Sequence, residues 1–576
     1  MTTFGALAAA RLGRAVEPRW LALGASVAVV AFLALVPLVY LLWQSVHTPA
    51  TAVAAGVLTL DNHREVLGGA DTARLLGNSV VFAGGTALLA FFVGTLLAWM
   101  NERTNTPFKR LFYALSVVPL IVPGVLFTIA WILLASPKIG LVNVALQALT
   151  GTSHVFVDVY SMGGMVWVDG LHYSPVAFLI MSAAFRSMDP SLEESALMSG
   201  ASTWQVAWRI SLRLSWPAAV ATLLILFIRA IESFEVPALI GLPVGLQVYT
   251  SAIYQAVHQY PSRIGLASAY ATVLLLVAAL GIYLQSRVTR HSRRYVTVTG
   301  KGFRPRVLDL GRWRYLTAAV FVVYFALIVL LPFLVLLWSS FQSFYAVPSL
   351  EALRQLTLDP YRAVLGHDNF WPAVRNSLLL ALGSATLVML LTSVICWIVV
   401  RTRWPGRWLL DQLASLPIAL PGLVVGLAMM VFFLNFDVGI YGTLWILLLA
   451  YVTRFMPYGM RYNTTALLQI HQELEDSAQM SGASWGATFW RIVLPLLKPG
   501  LLAGWIFVLI VSMRELSSSI LLYSPGSEVL AIVVWELWEA GQLVELSALG
   551  VMFMVALLFL VMAAQWLGGK YGVKQL

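Results

Sequence analysis

Long apolar runs separated by short polar stretches set the pattern of this chain. A helix needs about 20 mainly apolar residues to cross a bilayer. Twelve runs qualify, roughly 20–45, 77–100, 111–135, 163–185, 217–241, 264–286, 315–341, 376–400, 408–435, 438–460, 500–522 and 547–568. The short alternating strands of a transmembrane barrel are not the pattern. The first run follows Arg11, Arg14 and Arg19 as a signal peptide would, but it is too long for that and lacks a small-residue cleavage site. It is kept as a span. The expected fold is an all-α integral membrane protein with about 12 transmembrane helices.

Composition agrees. Hydrophobic residues make up 60% of the 576 and charged residues 11%, with a mean hydropathy of +0.84; soluble domains carry about one quarter charged residues. The net charge of +10 is mostly a matter of orientation. With the N-terminus inside, 26 of the 36 Lys and Arg fall in cytoplasmic segments, 7 in outer loops and 3 within spans (Arg229, Arg454, Arg514). The positive-inside rule then puts both termini in the cytoplasm. Membrane lipid is the expected surface partner, and nucleic acid is not, because the basic residues form no single soluble face. Cys396 lies in a span and is the one cysteine, which excludes an intrachain disulfide.

The chain repeats itself. Pro37–Trp43 pairs with Pro332–Trp338, Asn78-Ser79 with Asn376-Ser377, and Val118–Gly124 with Leu416–Gly422. The last two pairs share an offset of 298, which falls to 282 at the next repeat, so the first half carries extra residues, most simply in the loop 136–162. Six spans per half means a parallel repeat with a pseudo-twofold axis along the membrane normal. The expected organisation is an N-terminal segment 1–19, a first half 20–286 with its core at about 74–286, a basic cytoplasmic linker 287–314, and a second half 315–576 with its core at about 372–568.

Two polar islands are the best-copied part of the repeat. Glu193–Pro217 and Glu475–Pro499 are identical at 14 of 25 positions. In the first, Asp189 can cap a helix with Pro190 in its first turn, and Glu193 and Glu194 favour the positive helix end. Gly200 can adopt the left-handed stop, and Ser202 can cap a second short helix through Trp208, Arg209 and Ile210. Gly482, Ser484 and Trp490-Arg491-Ile492 repeat this. Two short helices with a fixed elbow make a knob suited to passing a push between a soluble partner and the spans. Simple connectors would have diverged as far as the spans did.

The islands resemble the EAA signature of the permease subunits of ABC importers, present twice. That resemblance implies the type I importer permease fold, with each island a coupling helix seated in a cytoplasmic ATPase. Glu193, Glu194, Ala196, Gly200 and Ala201, with Glu475, Asp476, Ala478, Gly482 and Ala483, are then the ATPase-coupling residues. It also implies a pair of ATPase subunits and a periplasmic substrate-binding protein as partners. The stretch Arg514–Gly526 with Trp535–Glu539 is most similar to ferric-iron permeases; relatives for thiamine, phosphonates or polyamines share the architecture. The chain itself carries no nucleotide loop, since Gly568-Gly569-Lys570 is followed by Tyr571. It is therefore expected to be a transport subunit and no enzyme, binding no cofactor, with ATP used by its partner. A self-sufficient secondary transporter is the reading from another class; it would tolerate changes in the islands.

Charges inside spans default to functional roles. Arg229, Glu232 and Glu235 in the fifth span and Arg514 and Glu515 in the eleventh could line a pathway, form a gate, or pair structurally. Asp169 and His172 have no third ligand near in sequence, so no metal site is assigned. Pro119, Pro123 and Gly124, with Pro417, Pro421 and Gly422, loosen the third and ninth spans, as hinges or for close packing.

Overall fold

The computed structural model describes residues 18–48, 56–188, 191–292 and 308–570. The residues expected to cap the first island, Asp189 and Pro190, and most of the basic linker lie outside these. Each half contributes eight principal helices. In the first half they are α1 (Leu23–Ser45), α2 (Thr72–Arg103), α3 (Lys109–Ile121), α4 (Gly124–Ala135), α5 (Met162–Arg186), α6 (Ser191–Met198), α7 (Trp216–Ile231) and α8 (Ile264–Ser292). Their counterparts are α9 (Gly311–Ser340), α10 (Phe370–Arg401), α11 (Arg407–Ala419), α12 (Gly422–Asn435), α13 (Leu444–Leu468), α14 (Glu473–Met480), α15 (Trp485–Met513) and α16 (Leu543–Lys570). The surplus of the first half falls where expected, in 136–161, which holds a further helix Leu141–Thr150; its counterpart is only 436–443.

Among the described residues, eight helices are long and apolar enough to span a membrane, and three bent pairs bring the number to 11. The run expected at 438–460 is the remaining one. It is α13, a helix of 25 residues that starts at Leu444. Arg454, Tyr458, Arg461 and Asn463 make it too polar to qualify by composition. Buried contacts compensate: Asn463 Nδ2 donates to Thr392 Oγ1 at 2.8 Å.

The third and ninth spans are not continuous helices. α3 meets α4 at 97° and α11 meets α12 at 109°. The cause is local. Pro123 and Pro421 have extended ψ of 136° and 140°, lack an amide hydrogen, and push the preceding residue out of helical conformation. α4 and α12 are 12 and 14 residues long, so α4 reaches only about 18 Å against a hydrocarbon core of about 30 Å. Such short segments are tolerated at membrane depth when protein surrounds them. Every residue from Val125 to Ala135 is buried.

The expected spans 217–241 and 500–522 also need correction at one end. Helix α7 stops at Ile231 and α15 at Met513, and over the next ten residues only short helical turns follow, Pro237–Gly241 and Ser519–Leu521. The stops coincide with Glu232 and Arg514, equivalent positions in the repeat.

The halves exchange their first helices. Leu23 and Val30 of α1 pack into a cluster with Ile395, Leu410, Met456 and Val493 of the second half, and Tyr40 sits edge-on to Phe432 and Phe436. In return, Phe321 of α9 stacks on Phe112 at 4.7 Å, Tyr324 OH lies 3.0 Å from Ser174 Oγ, and Thr317 meets Thr106 at 2.8 Å. Neither half buries its own apolar surface alone.

Candidate functional site

Each island folds as a short helix, a glycine elbow and a second short helix. In the first, Gly200 takes φ +86° and Gly482 the same in the second. Amide bonds close both elbows identically: Ala201 N to Ala196 O and Gly200 N to Leu197 O, each 3.0 Å, and Ala483 N to Ala478 O and Gly482 N to Gln479 O, each 3.0 Å. This is the Schellman pattern, in which the left-handed residue lets two orphan carbonyls find donors. The next helices are capped by serine, with Gln205 N donating to Ser202 Oγ at 3.3 Å and Ala487 N to Ser484 Oγ at 3.2 Å. Met198 and Met480, at matching positions beside the elbows, are 90% and 89% exposed. Trp208 and Trp490 are exposed as well. Each knob thus presents an unpartnered apolar tip.

The leading acids of the islands point the other way. Glu193 and Glu475 are buried, whereas Glu194 is partly exposed and Asp476 exposed. Each buried carboxylate meets the arginine that ends the long helix of its half. Arg103 Nε lies 3.5 Å from Glu193 Oε1, and Ser211 Oγ donates to the same oxygen at 2.5 Å. In the second half, Arg401 Nε donates to Glu475 Oε1 at 2.8 Å and Trp397 Nε1 to Oε2 at 2.7 Å. Arg401 also donates to the carbonyls of Leu467 at 3.0 Å and Ile470 at 2.5 Å. These ion pairs join α14 to the end of α10 and α6 to the end of α2. Sequence reasoning counted Arg103 and Arg401 only as orientation charges. Their shared offset of 298 was the signal that pairs them.

The span charges assemble into one region between the halves. Arg229 donates to Tyr458 OH of the other half at 2.7 Å and lies 3.6 Å from Glu232 Oε2. Arg514 donates to the Leu120 carbonyl of the other half. Arg454, earlier noted only as a charge in a span, pairs with Glu515 at 2.7 Å. Glu515 accepts in addition from the amide and hydroxyl of Ser518 at 2.9 and 3.0 Å. The broken spans open onto this region. A Cβ on Gly422 would fall 1.2 Å from Arg454 Nη1, and one on Gly124 would fall 3.0 Å from Glu235 Oε2. Glycine at the first residue of α4 and α12 is what lets charged groups reach the helix ends.

Asp169 is buried and His172 half-buried near this region. Asp169 accepts from Ser233 Oγ at 3.0 Å, and the His172 ring lies 5.3 Å from Phe127. No group of three His, Cys, Asp or Glu that could hold a metal exists among the described residues. Repeat positions differ in charge: His172 matches Arg454, Glu232 matches Arg514, and Ser233 matches Glu515. At the end of the molecule away from the islands, Glu539 accepts from Tyr254 OH of the other half at 3.1 Å. Burial, with Glu536, Glu539 and Glu528 nearby, pushes the Tyr523 phenol up to about 12.

Comparison with known proteins bears on both regions. The chain is 26% identical over 510 residues to a ferric transport system permease protein of Actinobacillus pleuropneumoniae, covering 88% of this chain and 72% of that one. It is 28% identical over 465 residues to a protein of Haemophilus influenzae described as a putative ferric transport system permease, covering 80% and 72%. A putative 2-aminoethylphosphonate transport system permease protein of Salmonella choleraesuis is 30% identical over 263 residues, 44% of this chain and 94% of that one. The model of the inner membrane component of binding-protein-dependent transport systems matches residues 90–294 and again 389–568. The two matches cover well over half of the sequence and both islands, and this chain belongs to that family.

Proposed function

We propose that this chain is the transmembrane subunit of an ATP-driven importer that carries ferric iron across the bacterial inner membrane by alternating access. The observation that carries the reading is the pair of exposed, glycine-elbowed knobs, each fastened by a buried ion pair to the end of a long span. A knob tied to a rigid helix transmits force; a plain connector has no use for the tie. The ferric assignment is supported by the relatives that align with most of the chain. The phosphonate relative aligns with less than half of it, so that cargo is the second reading.

In this reading a pair of separate ATPase subunits binds and hydrolyses ATP, and the chain itself holds no cofactor. Met198, Gly200, Met480 and Gly482 face the ATPases, with Glu194, Asp476 and the four motif alanines beside them. Glu193 and Glu475 act from behind as positioning residues. Both termini lie in the cytoplasm, as the distribution of basic residues implies, and a periplasmic binding protein delivers cargo to the opposite face. The cross-half contacts of Arg229 and Arg514 hold the halves together on one side of the cycle, and ATPase closure works against them.

The test is uptake of radiolabelled ferric iron by cells with this gene deleted and then restored. Loss and recovery are the expected result. Iron uptake unchanged by the deletion would refute the ferric reading; restored 2-aminoethylphosphonate uptake in the same cells would support the second.

A further inference from the structure

Five ionisable residues of the fifth and eleventh spans meet between the halves, and four are engaged. Arg229 has Tyr458 and Glu232, Glu515 has Arg454 and Ser518, and Arg514 has a carbonyl. Glu235 is different. Among the described residues no cation lies within ion-pair distance of its carboxylate and no other side chain hydrogen-bonds to it. It is partly exposed, lies against Gly124 at the start of α4, and feels the charges of Glu515, Arg454 and Arg514 across the interface.

Two more carboxylates of the same half have oxygens to spare. Among the described residues, Asp169 Oδ2 and Glu232 Oε1 are buried without a hydrogen-bond partner, and the residues themselves are only 2% and 9% exposed. Asp169 lies within electrostatic reach of Glu235, and Tyr173 within reach of all three acids. A buried acceptor without a donor is costly, and two such oxygens, with the partly exposed Glu235 near the same phenol, favour a positive occupant. The repeat supplies an internal control. The positions equivalent to Asp169, Glu232 and Glu235 are Tyr451, Arg514 and Ser517. If the fold required acids here, both copies would carry them; only one does. The location also fits general physics, because paired broken spans at a repeat interface are where transport folds place their ligands.

Resting on the importer reading, we propose that Glu235, with Asp169 and Glu232 behind it, is an oxygen-donor way-station for a hard, multiply charged cation at the junction of the broken spans. Hard cations take carboxylate, phenol and water oxygens. In this conformation the three acids do not converge into a ready metal cage. Glu235 therefore receives the cation as a single protein ligand with water, and Asp169 and Glu232 are the next oxygens inward. No bond to carbon forms or breaks, and the cation keeps its oxidation state.

The test uses the full permease purified with its ATPase and titrated with terbium(III), a trivalent hard cation whose emission is sensitised by nearby phenols. Glu235→Gln should weaken the apparent affinity about tenfold or more, Glu235→Asp should retain most of it, and Ser517→Ala, at the matching position, should leave it unchanged. A Glu235→Gln protein that titrates like the parent would overturn the proposal. Ferric uptake in cells is scored separately. Terbium binding that depends on Glu235, in a protein that restores no iron uptake, supports the site and removes the iron assignment. Uptake at the parental rate in Glu235→Gln cells would overturn the site and leave the importer reading intact.

Discussion

The two knobs have the same shape and are fastened differently. At the second, the Glu475 carboxylate receives Arg401 on one oxygen and Trp397 on the other, while Arg401 also ties down two carbonyls of the preceding turn. At the first, Glu193 shares one oxygen between Arg103, at a looser 3.5 Å, and Ser211, while Arg103 also donates to the Met188 carbonyl at 3.2 Å. The equivalent of Trp397 is Trp99, whose indole nitrogen is buried and has no partner among the described residues. The second knob adds a cluster of rings: Trp397 stacks on Trp485 at 4.2 Å and on Phe489 at 4.9 Å. The first knob has Thr203 and Ala207 at those places. Duplication preserved the backbone device, while the side chains that stiffen it diverged. Among the described residues the second carboxylate is held on both oxygens and by its arginine at a shorter distance, so a push on the second knob should meet the stiffer lever.

The comparison can be broken first at the arginines. Removing one partner of a buried pair strands the other charge, at about 3–5 kcal/mol. Arg401→Ala should lower the unfolding temperature of the detergent-solubilised protein and abolish coupled uptake. Arg103→Ala should do less, because the Ser211 hydroxyl still serves Glu193; equal losses would refute the difference in stiffness. Next, Trp397→Phe removes a hydrogen bond to a carboxylate, about 1.5–3 kcal/mol, and should raise the basal ATPase rate relative to uptake. The elbows should behave alike. Alanine at Gly200 or Gly482 meets no atom within 4 Å, so its cost is the left-handed backbone alone, about 1–2 kcal/mol. Each single change should weaken ATPase co-purification equally, and both together should end uptake while the protein stays in the membrane; a difference between the two would mean the elbows are not equivalent. The smallest effect belongs to Trp99→Phe, which has no hydrogen bond to lose. A loss as large as that of Trp397→Phe would show an indole partner outside the described residues.

Much of this was legible in the sequence because it depends on local rules. Apolar run length located the helices, and glycine and serine at fixed offsets located both elbows and both second-helix caps. The repeat also located the insertion at 136–161. What stayed hidden depends on distance in the chain. Glu475 reads as an exposed docking acid until Arg401, 74 residues away in sequence, closes on it. Prolines announce a break at Pro123 and Pro421, but not its size, the bends of 97° and 109°. α13 was legible as the run 438–460; what the sequence does not show is that its Arg454 pairs with Glu515 and its Asn463 with Thr392. Helices α7 and α15 end early at Glu232 and Arg514, whose partners, Arg229 in the same half and the Leu120 carbonyl across the interface, the sequence does not reveal.

The join between the halves has a consequence for inheritance. In a permease of two identical subunits every residue appears twice about the axis, so an arginine there faces its own copy. Here Glu232 and Arg514 occupy equivalent places with opposite charge, which identical subunits could not achieve. One gene for both halves lets a mutation alter one side and spare the other. Selection can then keep the lever on one side and the open carboxylate on the other, each on its own terms.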